Sequence, residues 1–191
     1  MAIEINQAFI EKMSGIMEKM VGDSLLPMGI TVSRKNATEH VNFQDVVFCS
    51  IGITGAFNGN LSIVIPQKTA CSFVGKMIGM SFEQVTDDVL DGCREITNMV
   101  AGVIKMEMAA QSVDINIGLP TSMIGHGLRI RFNPADKYVH QQYTTSEGDL
   151  EVYLALNEQE TSAQPSAEKK PAVAVDAATA LLNKIKNSKN F

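Results

Sequence analysis

Asp91-Gly92-Cys93-Arg94-Glu95-Ile96-Thr97-Asn98-Met99-Val100-Ala101-Gly102 sets charged and amide side chains one helical turn apart on an otherwise apolar segment. At roughly 100° of rotation per residue, Asp91, Arg94, Glu95, Asn98, Gly102 and Lys105 gather on one side of a helix. Leu90, Cys93, Ile96, Val100, Val103, Ile104 and Met108 take the other. Such a helix seats its apolar stripe in a core and displays Glu95 and Asn98 side by side. Upstream, Thr86 supplies an N-cap, and Asp87 and Asp88 place negative charge in the first turn, where the helix dipole favours it. The helix is predicted to last to about Gln111.

Outward from this segment, residues 4–21 carry Ile5, Phe9, Met13, Ile16, Met17 and Met20 at helical spacing, predicting an opening amphipathic helix that ends near Gly22. Its methionines read as core filler. From Gly29 the pattern turns to β: Ile30 to Ser33, then Gln44 to Thr54, then Leu61 to Ile65, with a hairpin signal at Gly55 to Asn60. A shorter helix is predicted from Pro66 to Ile78, stopping before Gly79. After the long helix, Asp114 to Gly118 and Met123 to Phe132 read as strands, with Gly125 and Gly127 marking a bulge or a close backbone approach. Val139 to Thr145 and Leu150 to Leu156 form a closing hairpin. Antiparallel strands with helices in blocks define an α+β domain ending near Asn157.

From Glu158 to Val175 the chain is rich in Ala, Pro, Ser, Glu and Lys, too polar to bury a core, and reads as a linker. Residues 176–187 have helical spacing, but an isolated helix that short is marginal in water. It is either a free tail or a helix that folds on a partner. The organisation is therefore a domain over 1–157 and a flexible linker with a short C-terminal helix over 158–191.

The formal net charge is −5, and the tail from Glu158 holds four acidic and five basic side chains, so residues 1–157 carry −6. That balance argues against nucleic acid as a partner. The N-terminus lacks a secretory pattern, and no apolar stretch reaches the ~20 residues of a membrane span. The expected location is the cytoplasm. Cys49, Cys71 and Cys93 lie 22 residues apart with no C-x-x-C pair and no histidine at ligand spacing, so they read as buried, reduced thiols rather than a metal site.

Phosphate-loop, dinucleotide-binding, nucleophile-elbow and H-E-x-x-H patterns are all missing, and His40, His126 and His140 are scattered. No self-contained hydrolase site is visible. On spacing alone, Glu95 and Asn98 equally fit a solvated helix face, since E-x-x-N arises easily by chance and Glu39 to Asn42 supplies a second instance.

Four positions in register carry more weight. Asp91, Glu95, Asn98 and, after 21 intervening residues, Pro120 resemble the signature of the CheC, CheX and FliY chemotaxis phosphatases. The run from Glu95 to Gly102 looks like the CheX form of that helix, and Leu119 to Gly125 resembles the strand entry that follows it. A single motif, on the helix after the strands, resembles CheX rather than the two-site CheC. The likeness covers about residues 1–157.

The resemblance implies a CheC/CheX-like fold, a mostly antiparallel sheet packed with long helices. It also implies a phosphatase that removes the phosphoryl group from the aspartate of a CheY-type response regulator in chemotaxis or two-component signalling. Asn98 would position the attacking water, Glu95 would pair with the receiver's lysine, and Asp91 and Gly102 would lie against the partner. Pro120 reads as shaping a neighbouring turn. No cofactor is expected on this chain, with Mg²⁺ supplied by the receiver, and the relatives pair as homodimers through a continuous sheet. The competing expectation is a non-catalytic module of the same fold that binds a receiver or scaffolds a homodimer.

Overall fold

A computed structural model describes residues 3–35, 43–129 and 137–157. Three helices pack on one antiparallel sheet in the order α1 (Gln7–Leu25), β1 (Val32–Lys35), β2 (Phe43–Gly55), β3 (Asn58–Pro66), α2 (Gln67–Ile78), α3 (Asp87–Ala109), β4 (Ile115–Ile117), β5 (Thr121–Leu128), β6 (Lys137–Thr145) and β7 (Gly148–Asn157). Within the sheet the strands run β1-β6-β7-β3-β2, and the long strand β2 takes two partners on its far side: β5 along residues 43–50 and β4 along residues 53–55. The expected α+β fold is the fold observed.

Alternation along the strands decides which face meets the helices. Leu61, Ile63 and Ile65 of β3, Val47, Cys49, Ile51 and Ile53 of β2, and Leu150, Val152, Leu154 and Leu156 of β7 join one core with Met13, Met17 and Met20 of α1, Phe73 of α2 and Ile96 of α3. The opposite face holds a smaller apolar cluster of Val46, Val64 and Tyr153. Beside it, the buried Glu151 carboxylate accepts hydrogen bonds from Tyr153 Oη at 2.6 Å and Gln142 Nε2 at 3.1 Å, and lies 2.8 Å from His140 Nε2. Satisfying the carboxylate this fully is what permits its burial.

Local signals place most boundaries within a few residues. Asn6 caps α1 by accepting from the Phe9 amide, and Gly79 stops α2 in the left-handed conformation at φ +73°. Three expectations are corrected. The first helix passes through Gly22 to Leu25, because Val21, Ser24 and Leu25 are buried in the next turn. The left-handed glycine that ends the segment is Gly29, after a 3-10 turn over Leu26–Met28. The first strand begins at Val32 rather than Ile30, whose side chain is buried in the core. At Gly125 and Gly127 no residue is inserted: the β2–β5 register is continuous, and Gly127 at φ +63° only interrupts the ladder between Asp45↔His126 and Phe43↔Leu128. The second E-x-x-N with His40, the end of the strand expected to reach Phe132, and the linker and helix expected beyond Asn157 lie outside the described residues.

All three cysteines are free and buried. The Cys93 thiol is held well above the ordinary thiol range by donating a hydrogen bond to Cys49, with burial acting in the same direction, so it stays protonated. Burial likewise pushes Tyr143 and Tyr153 above the ordinary phenol value of 10.0, and for Tyr153 the bond donated to Glu151 adds to it. In the unfolded chain both phenols ionise near that value, so the stability they contribute is present below it and is lost as pH rises beyond it. We expect the denaturant midpoint to fall between about pH 9 and about pH 11. The phenolate absorbance of Tyr143 and Tyr153 should appear only with unfolding, and Tyr143→Phe should flatten the slope.

Candidate functional site

Thr86 starts α3 by accepting the Val89 amide at its side-chain oxygen, 3.4 Å away, and Asp87 and Asp88 fill the first turn. Val89, Cys93, Ile96, Val100, Ala101, Ile104 and Met108 are all buried in the core, which fixes the opposite side of the helix outward. Thr97, buried between the two sides, donates its hydroxyl to the Cys93 carbonyl one turn back at 2.8 Å. The expected stripe is present: Asp91, Glu95, Asn98 and Lys105 are exposed, and Arg94 and Gly102 are half-buried.

Glu95 and Asn98 stand one turn apart, separated by about 4.5 Å along the axis. Among the described residues neither has a hydrogen-bond or ion-pair partner. Asp91 differs: its carboxylate is engaged by the Arg94 guanidinium one turn on, and Arg94 also donates Nη1 to Ser122 Oγ of β5 at 2.9 Å. Sequence reasoning misses that bridge. Asp91 and Arg94 have the spacing of an i,i+3 ion pair, the one local hint available, whereas Ser122 is brought in only by the sheet.

Pro120 lies half-buried at the entrance to β5, after a turn in which the Gly118 amide donates to the Gly52 carbonyl at 2.9 Å. Thr121 pairs with Ser50 and Ser122 with Cys49, so the proline begins the strand that Arg94 holds. The adjacent Leu119 is 89% exposed. Among the described residues no group of three His, Cys, Asp or Glu is placed to hold a metal ion, and no helix is long and apolar enough to cross a membrane.

The two glycines of this helix have different surroundings. A Cβ built on Gly92 falls 2.6 Å from both Val74 methyl groups, so this glycine lets α2 and α3 approach, whereas one built on Gly102 meets nothing within 4 Å. We therefore expect Gly92→Val to destabilise the fold by about 1–3 kcal/mol through overpacking. Gly102→Ala should stabilise it by about 0.5–1 kcal/mol through helix propensity. Denaturant midpoints measure both.

The "CheY-P phosphatase CheX" of Thermotoga maritima is 28% identical to this chain over 99 residues, which span 51% of this chain and 64% of that protein, less than two thirds of its length. Similar solved folds include the chemotaxis protein CheX from Desulfovibrio desulfuricans (TM-score 0.67, 21% identity, 76% of this chain and 99% of that one). Another is the CheX-CheY-BeF3-Mg complex from Borrelia burgdorferi (TM-score 0.59, 16% identity, 75% of this chain and 97% of that one). Residues 47–144, just over half of the sequence and including all of α3, match the family model described as Chemotaxis phosphatase CheX, and the chain belongs to that family.

Proposed function

We propose that this protein hydrolyses the phospho-aspartate of a CheY-type response regulator in the cytoplasm, with Glu95 and Asn98 of α3 entering the receiver's active site. The observation that carries the reading is the presentation of these two side chains, exposed and without partners among the described residues, on a helix whose other side is locked in the core. The family membership, the curated relative that is a CheY-P phosphatase, and the neighbour solved with CheY and BeF3 support the class of partner.

A carboxamide is a poor base and a poor nucleophile near neutral pH. It can accept a hydrogen bond from a water through its oxygen and donate from its nitrogen, which is enough to hold that water in line with a phosphorus atom. Glu95, acceptor-only when ionised, pairs with a cation on the receiver and sets where Asn98 enters. The phosphorylated aspartate and Mg²⁺ belong to the receiver, where the metal offsets charge on the phosphoryl oxygens. Half of the site is thus on each protein, consistent with a chain that carries no complete hydrolase constellation of its own.

The test is phosphate release from a phosphorylated receiver domain with Mg²⁺, this chain being substoichiometric. Several turnovers per chain, faster than the receiver's own loss, are expected. Binding without turnover would make the protein a receiver-binding module instead. We also infer a homodimer formed along a sheet edge: β1, β4 and β5 leave unpaired backbone edges among the described residues. Light scattering should return twice the 20.7 kDa chain mass.

A further inference from the structure

We propose that Asp91 and Arg94 are positioning residues: with Ser122 they clamp α3 to β5 and set the direction in which Glu95 and Asn98 project. This inference rests on the phosphatase reading above. Asp91 then acts through Arg94 instead of touching the receiver, which reassigns the partner contact that its place in the signature implies.

Apolar packing fixes which side of α3 faces outward, but dispersion contacts are non-directional, so a turn of a few degrees about the helix axis is best opposed by a directional polar contact at the helix edge. The Arg94 bridge is polar, directional and lateral. Nη1 donates to Ser122 Oγ at 2.9 Å and Nη2 to the Asp91 carboxylate, so a rigid planar fork is held at two points. Ser122 is itself held opposite Cys49 in the β2–β5 ladder. Arg94 immediately precedes Glu95 and stands one turn before Asn98, so a restraint on Arg94 is a restraint on both.

The lever arm makes this consequential. A side-chain tip lies about 6 Å from the helix axis, so a rotation of about 10° displaces the Asn98 carboxamide by about 1 Å. A misplacement of that size costs up to about a hundredfold in rate. The bridge also offsets the Asp91 charge.

A double-mutant cycle in the full-length chain tests the clamp, reading kcat and KM separately with a phosphorylated receiver. Asp91→Ala and Arg94→Ala should each lower kcat about ten- to a hundredfold with KM changed less than about threefold, and the double variant should be no slower than the slower single one. Arg94→Lys should not restore the rate, because an ammonium lacks the fork. Ser122→Ala, which leaves α3 untouched, should show a milder loss of the same kind, and circular dichroism melts establish that each variant is folded. Multiplying effects with a rising KM for Asp91→Ala would overturn the clamp by showing direct contact with the receiver. So would full activity in Arg94→Ala. A wild-type chain without turnover fails the phosphatase reading at the first step, before any variant is compared, and removes the positioning role with it. The Arg94 Nε–H resonance, sharp in wild type and exchange-broadened in Asp91→Ala, then still reports whether the bridge exists.

Discussion

Asn98→Ala is expected to reduce phospho-receiver turnover by at least about a hundredfold, the scale of losing one preorganised hydrogen-bonding group at a reacting centre, while leaving receiver binding within about twofold. Asn98 is exposed and, among the described residues, bonds to nothing else in the protein. The substitution therefore leaves no buried group unsatisfied and opens no cavity. Helix propensity should even raise stability by a few tenths of a kcal/mol, roughly. An inactive variant that melts no lower than wild type separates a missing catalytic group from a damaged fold.

Two further substitutions sharpen the role. Asn98→Gln keeps the carboxamide but moves it outward by one methylene, more than the ~1 Å that degrades a reacting geometry, so it should recover little. Asn98→Asp preserves the size and can still accept from water, but loses the amide donor and adds a negative charge facing a phosphoryl group. It should be as slow as alanine and bind more weakly. Wild-type turnover in Asn98→Ala would show that the water is placed by some other group.

How much of this is legible without the structure depends on the range of each signal. The caps at Thr86 and Gly79 act over three or four residues and are written locally, as is the two-sided character of α3. Gly22 misleads because a glycine ends a helix only when its backbone turns left-handed, and here the buried Val21, Ser24 and Leu25 keep the next turn helical. Strand order has no local code. Val32 of β1 pairs with Thr145 of β6, and a single 13-residue strand, β2, accepts β4 and β5 end to end around the turn at Gly118 to Pro120. At the site, Glu95 and Asn98 stand out only through the longer register with Asp91 and Pro120. The Ser122 end of the bridge lies 28 residues from Arg94 and is set by the β2–β5 register.

Glu95 should behave differently from Asn98, because its proposed work is done before chemistry begins. A desolvated, charge-assisted contact with a receiver lysine contributes about 2–3 kcal/mol, so Glu95→Ala should weaken receiver binding by about 30- to 150-fold and lower turnover with it. The carboxylate is exposed and without a partner among the described residues, so the cost falls on the complex rather than on the fold. Glu95→Gln separates charge from shape. It keeps the length and one acceptor oxygen, so its residual affinity should lose most of its dependence on ionic strength, whereas wild-type affinity should fall steadily as salt screens the pair. Replacing the receiver lysine by methionine should abolish the difference in affinity between the wild-type chain and the Glu95→Gln variant in a binding cycle, since neither then has a cation to meet. If that difference persists undiminished, Glu95 is meeting another group, and the direction from which Asn98 enters the receiver must be drawn again from that contact.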